Sequence, residues 1–378
     1  MLEGLVLTPA GFVHGTLEHD TRIRRIQGKP VDEPEARRRA AAGLPLILPG
    51  FVDLHVHGGG GHDTMAAGDA LAQIARTHAR HGTTALLATT MTAPLAEIEA
   101  ALAAAAPCIA TRPAHAARVL GVHLEGPFIN REKLGAQPDF TAAGTLEQVR
   151  ALDRIAPIRL VTLAPELPGH IELIVALRAA GFVVQLGHSA ASYEQGVAAL
   201  AAGASGFTHL FNAMSALHHR APGLAGAALA HAVRAEVIPD LLHVHPGALR
   251  AALRAIPELY CVTDSTAAAG MPDGEYRLGR HVVHKCLGGV RLADGTLAGS
   301  TLTMDQALRN LVFEVGLPLA DAARRCSTIA ADHLGLPDRG RLVEGAWADV
   351  VRLDAGLRLE GTWVEGERVD GEHIGPAG

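Results

Sequence analysis

A chain of 378 residues with 48% hydrophobic content has ample material for a buried core, which excludes intrinsic disorder. Its net charge of −6 and its scattered lysines and arginines exclude nucleic acid or another polyanion as partner. The N-terminus lacks the basic and apolar regions of a secretory leader and no apolar run reaches about 18 residues, so the sequence predicts a cytoplasmic protein without membrane association. Cys108, Cys261, Cys286 and Cys326 stand far apart without a CxxC pair and are expected to be free thiols. Histidine is abundant, 21 against 3 Tyr and 2 Trp, which points toward metal chemistry without locating it.

Residues 1 to 45 read as short alternating strands, with the charged stretch "KPVDEPEARRRAAAG" expected as a surface excursion. From residue 46 onward, β-rich apolar runs alternate with Ala/Leu stretches of helical period. Eight strands are predicted, at 46–57, 83–90, 118–125, 158–166, 182–189, 206–213, 240–245 and 259–265. Amphipathic helices such as "GDALAQIARTHARHG" and "HIELIVALRAAG" lie between them, several closed by a glycine. Eight βα units imply a closed (β/α)8 barrel. The tail "GRLVEGAWADVVRLDAGLRLEGTWVEGERVDGE" returns to short strands. The fold class is therefore α/β: a TIM-type barrel over 46–334, inserted into a small β-sandwich domain that both termini form from 1–45 and 335–378.

In a parallel barrel all strand C-termini open on one face, where active sites are built. The predicted strand ends carry His55 and His57, Glu125, His188, His209, His243 and Asp264. Residues two apart on a strand share a face, so His55 and His57 are able to grip one ion. Each histidine alone reads as readily as a hydrogen-bonded core residue, and Asp264 as a turn cap, but together they read as a metal centre. Imidazole and carboxylate donors without thiolate suit a catalytic divalent ion with open positions for water. Such an ion would provide hydroxide at neutral pH, with Asp264 as the base that accepts the water proton and the acid that delivers it to a leaving nitrogen. The run "GGGGHD" lacks the GK[ST] ending of a phosphate loop, so nucleotide binding is not expected.

The segments "LPGFVDLHVHGGGGHD", "GVHLEGPFIN", "LGHSAAS", "THLFNAMS", "APGLAGAAL", "VTDSTAAAG" and "LAGSTLTMDQALRNLV" make the chain similar to the N-acetylglucosamine-6-phosphate deacetylases of the amidohydrolase superfamily. The predicted fourth strand has no lysine to carboxylate, leaving Glu125 as the carboxylate ligand. The resemblance implies that Glu125, His188 and His209 hold the principal ion and that His55 and His57 add a second, giving one or two per subunit. Zinc is the expected metal, with iron, manganese or cobalt as alternatives. It further implies Asp264 as catalytic acid and base, and substrate contacts at Ala136, Gln137, Asn212, Ala213, His243, Ala298 and Gly299. Arg220 matches an arginine that reaches the sugar phosphate from the neighbouring subunit, which implies a homodimer. The implied reaction is conversion of N-acetylglucosamine-6-phosphate, a small phosphorylated amino sugar, to glucosamine-6-phosphate and acetate. One departure bears on the substrate. Gln137 stands where the family usually has histidine, and it keeps an amide donor but no cationic state. Deacylation of another N-acyl amino sugar or an N-acylamino acid is the alternative.

Overall fold

The computed structural model describes residues 1–369; positions 370–378 of the segment assigned to the terminal domain lie outside the described residues. The barrel strands are Phe51–Val56, Thr83–Thr89, Arg118–Glu125, Ile158–Leu163, Val183–Leu186, Gly206–Phe207, Arg234–Val237 and Glu258–Cys261. They are rich in Val, Leu, Ala and Thr and are buried along most of their length, as a sheet covered by helices outside and filled by side chains inside requires. The first six pair in chain order, and the seventh pairs with the eighth. Backbone bonds beyond the regular strands close the ring: Leu210 N–H donates to the Glu236 carbonyl and Asp264 N–H to the His55 carbonyl, both at 2.9 Å. Among the described residues, no helix is long and apolar enough to cross a membrane.

The connecting helices start and stop where local chemistry directs. Thr145 with Gln148 and Ser192 with Gln195 form capping boxes that satisfy free N–H groups of helices Leu146–Asp153 and Tyr193–Ala201. Gly82, Gly181 and Gly203 follow helices with φ of 84°, 93° and 111°, a conformation that a side chain would strain.

Three segments depart from the sequence reading. Residues 46–57 form two strands, because the chain leaves Leu46–Pro49 and turns at Gly50, where a Cβ would come 2.2 Å from the Thr84 side chain. The charged excursion is a strand, Ile23–Val31, followed by helix Glu33–Ala41. Asp32 caps that helix by accepting from Glu35 N–H, and Ala36 and Ala40, four apart, bury one face while the charges occupy the other. The seventh strand is Arg234–Val237 and not 240–245, which forms a loop wound around the Asp240 carboxylate. Pro239, which lacks an N–H, follows the true strand, so the "LHVH" pattern mimics a strand without pairing as one. A three-stranded excursion, Gly274–Leu278, His281–Cys286 and Gly289–Arg291, also follows the eighth strand.

Both chain ends share one seven-stranded sheet, ordered Glu367–Val369, Leu359–Val364, Val350–Leu353, Leu46–Pro49, Leu2–Thr8, Gly11–His19 and Ile23–Val31. It folds back on itself, with Ile23 N–H donating to Ala346 and Ala348 N–H to Thr21, around Val6, Leu17, Ile47 and Trp363. Glu365 latches it to the barrel: its carboxylate meets Arg118, at the start of the third barrel strand, at 2.8 Å and Arg339 at 2.5 Å. Burial works against charge on Glu365, but the hydrogen bonds from Arg118 and Arg339 outweigh it and hold its pKa to about 2. A depressed carboxylate pKa contributes stability above the ordinary value of 4.5 that is lost as pH falls from there toward 2. Glu365→Ala is expected to cost about 3 kcal/mol near neutrality by leaving Arg118 without a carboxylate partner and Arg339 with Asp349 alone. Thermal midpoints of both proteins across pH check this, with a gap that holds above 4.5 and closes toward 2.

Candidate metal centre

Period two places Asp53, His55 and His57 on the inner face of the first barrel strand, and Glu125 closes the third. His188, His209 and Asp264 sit just past the fifth, sixth and eighth strands, each at positive φ of 48°, 28° and 49°. Such backbone strain in non-glycine residues persists only where surroundings enforce it. Here Asn130 N–H donates to the His188 carbonyl, and Asp264 is clamped between His55 C=O and Ser300 N–H. A Cβ on Gly299 would meet the Asp264 carbonyl at 2.9 Å, so only glycine fits behind the aspartate.

The two oxygens of Glu125 face different partners. Oε1 lies 3.1 Å from Nε2 of both His188 and His209, which are 3.1 Å from each other. Oε2 lies 3.1 Å from His57 Nε2 and 3.5 Å from His55 Nε2, and those two nitrogens are also 3.1 Å apart. Asp264 Oδ1 completes this second set, 3.5 Å from His55 Nε2 and 3.4 Å from His57 Nε2. Donor atoms about 3 Å apart are the edges of a ligand shell roughly 2 Å from one ion. Two imidazole nitrogens that close gain nothing from each other unless a cation or shared proton lies between them, so the donor set fits a divalent metal. Glu125 belongs to both sets.

Buried partners orient two of the candidate histidine ligands. His188 Nδ1 donates to the Lys133 carbonyl at 2.8 Å, and His55 Nδ1 faces Glu236 Oε2 at 3.1 Å, so each turns Nε2 toward the centre. Burial works against charge on Glu236, but its hydrogen bonds from His55 and Gln185 hold its pKa to about 2. His123, Glu236 and His55 also form a cluster of possible ligands, yet both His123 nitrogens are already used, by Leu54 O at 3.1 Å and Thr162 Oγ1 at 2.7 Å. Burial lowers the His123 pKa to about 3, which keeps it a neutral part of the framework.

A cavity of ≈ 70 Å³ opens onto the candidate ligands. Of the residues singled out in the sequence, His57, Glu125, Ala136, Gln137, His188, His209, Ala213, His243, Asp264 and Gly299 line it. His55 lies beneath, fully buried, and Ala298 is buried behind Gly299. The Asn212 amide turns back toward the carbonyls of His209 and Leu210. Arg220 stands exposed on the loop 215–221, its guanidinium 2.8 Å from His219 Nε2. His243 comes from the loop after the seventh strand, where Asp240 accepts from its Nδ1 at 2.7 Å. Gln137 is held rigidly: its Oε1 accepts from Thr92 N–H at 2.7 Å and its Nε2 donates to Glu125 Oε2 at 2.6 Å. The sequence reading missed Glu236 and the apolar walls Met91, Leu278 and Leu297. A lone glutamate inside the apolar run "AEVI" was the available signal for the first.

Comparison with known proteins matches residues 46–369 to the amidohydrolase family. The chain belongs to that family. Among relatives of this amidohydrolase, an N-acetylglucosamine-6-phosphate deacetylase of Lysinibacillus sphaericus is 39% identical over 84% of each chain. An N-acetylgalactosamine-6-phosphate deacetylase of Escherichia coli O157:H7 is 42% identical over 85% of this chain and 87% of the relative. A solved structure of an alanine mutant of Mycobacterium smegmatis N-acetyl-D-glucosamine-6-phosphate deacetylase, in complex with N-acetyl-D-glucosamine-6-phosphate, superposes with a TM-score of 0.89 at 34% identity, covering 98% of each chain. Members of the amidohydrolase family depend on a metal, and this member carries histidine and glutamate clusters able to hold one. Because Glu125 serves both ligand sets, Glu125→Ala is expected to weaken all metal binding by at least about 100-fold, whereas His57→Ala disturbs one set only. Elemental analysis after dialysis, giving metal equivalents per chain, tests the difference.

Proposed function

We propose that this amidohydrolase removes the acetyl group of N-acetylglucosamine-6-phosphate, releasing glucosamine-6-phosphate and acetate. The observation that carries the reading is Glu125 shared between two imidazole pairs, with Asp264 beside one pair at the open end of the barrel. The relatives named above, deacetylases of amino-sugar phosphates over nearly the whole chain, support the substrate class. Glu125, His188 and His209 would hold a principal divalent ion, zinc being the expected species, and His55 and His57 would hold a second with the other oxygen of Glu125. An ion bound there supplies Lewis acidity toward the acyl carbonyl and makes a water molecule more acidic.

The protein's own residues divide the remaining work. Asp264 takes the proton of the attacking water and returns it to the leaving nitrogen, so one group serves both halves of the hydrolysis. Gln137 spends one amide hydrogen on Glu125 and offers the other to the acyl oxygen, a fixed neutral donor where charge develops. His243, whose imidazole Asp240 orients, receives the sugar phosphate at the mouth. Arg220, exposed on its loop beside Leu217, would reach the sugar phosphate of the neighbouring subunit in a homodimer, as the resemblance implies.

Release of acetate from N-acetylglucosamine-6-phosphate by chelated and metal-restored protein tests this reading. Activity should vanish on chelation and return with zinc. Asp264→Asn is expected to lower kcat by about 10³-fold, within the range of general acid–base catalysis. Turnover unaffected by either treatment refutes the mechanism. Arg220→Ala should raise KM for the phosphorylated sugar by roughly 10- to 100-fold, the worth of a charge-assisted hydrogen bond, and leave N-acetylglucosamine itself unaffected. The 42% identical relative favours one second reading, the galacto epimer as substrate. A higher kcat/KM on N-acetylgalactosamine-6-phosphate would select it while leaving the chemistry unchanged.

A further inference from the structure

Glu236, in the middle of the seventh barrel strand, is wholly buried beneath both ligand sets and touches each of them. Its Oε2 lies 3.1 Å from His55 Nδ1 and also accepts from the backbone N–H of His209 at 3.3 Å. Its Oε1 accepts from Gln185 Nε2 at 2.7 Å and from the Tyr260 hydroxyl at 3.2 Å. Both carboxylate oxygens are thus engaged by donors from three other strands and the loop after a fourth, and the side chain has no freedom to turn. A carboxylate only accepts, so His55 must carry its proton on Nδ1 and present the lone pair of Nε2 to His57, Glu125 and Asp264. With no such acceptor, the proton could sit on either nitrogen, and the form with Nε2–H cannot ligate.

We propose that Glu236 is the positioning residue that sets the tautomer of His55 and thereby governs how tightly the His55/His57 set binds an ion. This rests on the two-ion reading given above. The link to the principal set is weaker, since Glu236 reaches only the backbone of His209, whose Nε2 already faces Glu125 and His188. Loss of Glu236 should therefore separate the two sites, and a merely structural role would not.

Titration of the metal-free protein with Co²⁺, followed by visible absorption and by elemental analysis of bound metal, provides the test. Wild-type protein should bind two equivalents. Glu236→Gln keeps its carbonyl oxygen toward the His55 and His209 donors, because on its other side the Gln185 amide can turn its oxygen to the new N–H. It should retain both ions with the second bound about 10-fold more weakly. Glu236→Leu removes the acceptor at similar volume and should weaken the second ion by about 100-fold, the upper range for loss of an orienting partner, with the first changed little. If Glu236→Leu does not fold, the selective weakening in Glu236→Gln decides alone. Two ions bound by Glu236→Gln as tightly as by wild type, or both weakened in parallel, would overturn the assignment of Glu236 and leave the two-ion reading intact. A wild type that saturates at one equivalent would overturn the two-ion reading itself and the inference with it.

Discussion

Glu125 lies fully buried with imidazole nitrogens crowded against both of its oxygens, and much of the site's construction answers that arrangement. Burial alone would raise its pKa, but the imidazoles of His55 and His188 beside it and the hydrogen bonds around it hold it far below the ordinary carboxylate value. An ionised carboxylate in a water-poor interior is stable only with compensating positive charge and filled acceptor sites. The four histidines come from three different βα units, so no local segment could supply that compensation. Only ring closure brings the first, fifth and sixth strands around the end of the third.

The same demand extends down the barrel. TIM barrels usually fill their interior with branched apolar layers. Beneath this centre the filling is polar and fully bonded: Asp53 accepts from the backbone and hydroxyl of Thr263, and His123 joins Leu54 O to Thr162, which bonds Thr208. Burial pushes the Asp53 pKa up to about 7, despite the donors around it. A half-satisfied network here would be worse than an apolar one, and each member finds a partner on another strand, Asp53 accepting from His55 N–H on its own strand as well. Above the centre, the strain at His188 and Asp264 is sustained by backbone bonds from neighbouring segments, and at His209 by Asn212 N–H of its own loop. Rigidity below and enforced geometry above together keep the donor atoms converged.

The terminal sheet contributes through connectivity. Leu46–Pro49 lies in that sheet, and the chain passes directly through Gly50 into the strand that carries His55 and His57. Glu365, bound by Arg118 and Arg339, ties the opposite side of the sheet to the start of the strand that ends in Glu125. The two strands most involved in the centre are therefore both anchored at their far ends by the sheet that the termini build.

Much of this was legible in the residues themselves. Alternating β and α periodicity implied a barrel, and in a parallel barrel the strand ends converge by topology, so His55, His57, Glu125, His188, His209 and Asp264 could be grouped with no knowledge of distances. The glycines that close several helices were legible in the same way. What stayed hidden depended on lateral neighbours. The "LHVH" run imitates a strand because alternation reports faces and not pairing, and only the sheet shows Arg234–Val237 in that place. The alanines of Glu33–Ala41 acquire a buried face only when a strand packs beneath them. Glu236 reads as an odd charge in an apolar run until His55, 181 positions earlier in the chain, is set 3.1 Å away. Sequence determined which chemical groups gather at the mouth, since periodicity and strand direction are local properties. Tertiary structure alone decided which nitrogen each histidine presents, because that depends on partners brought from across the barrel.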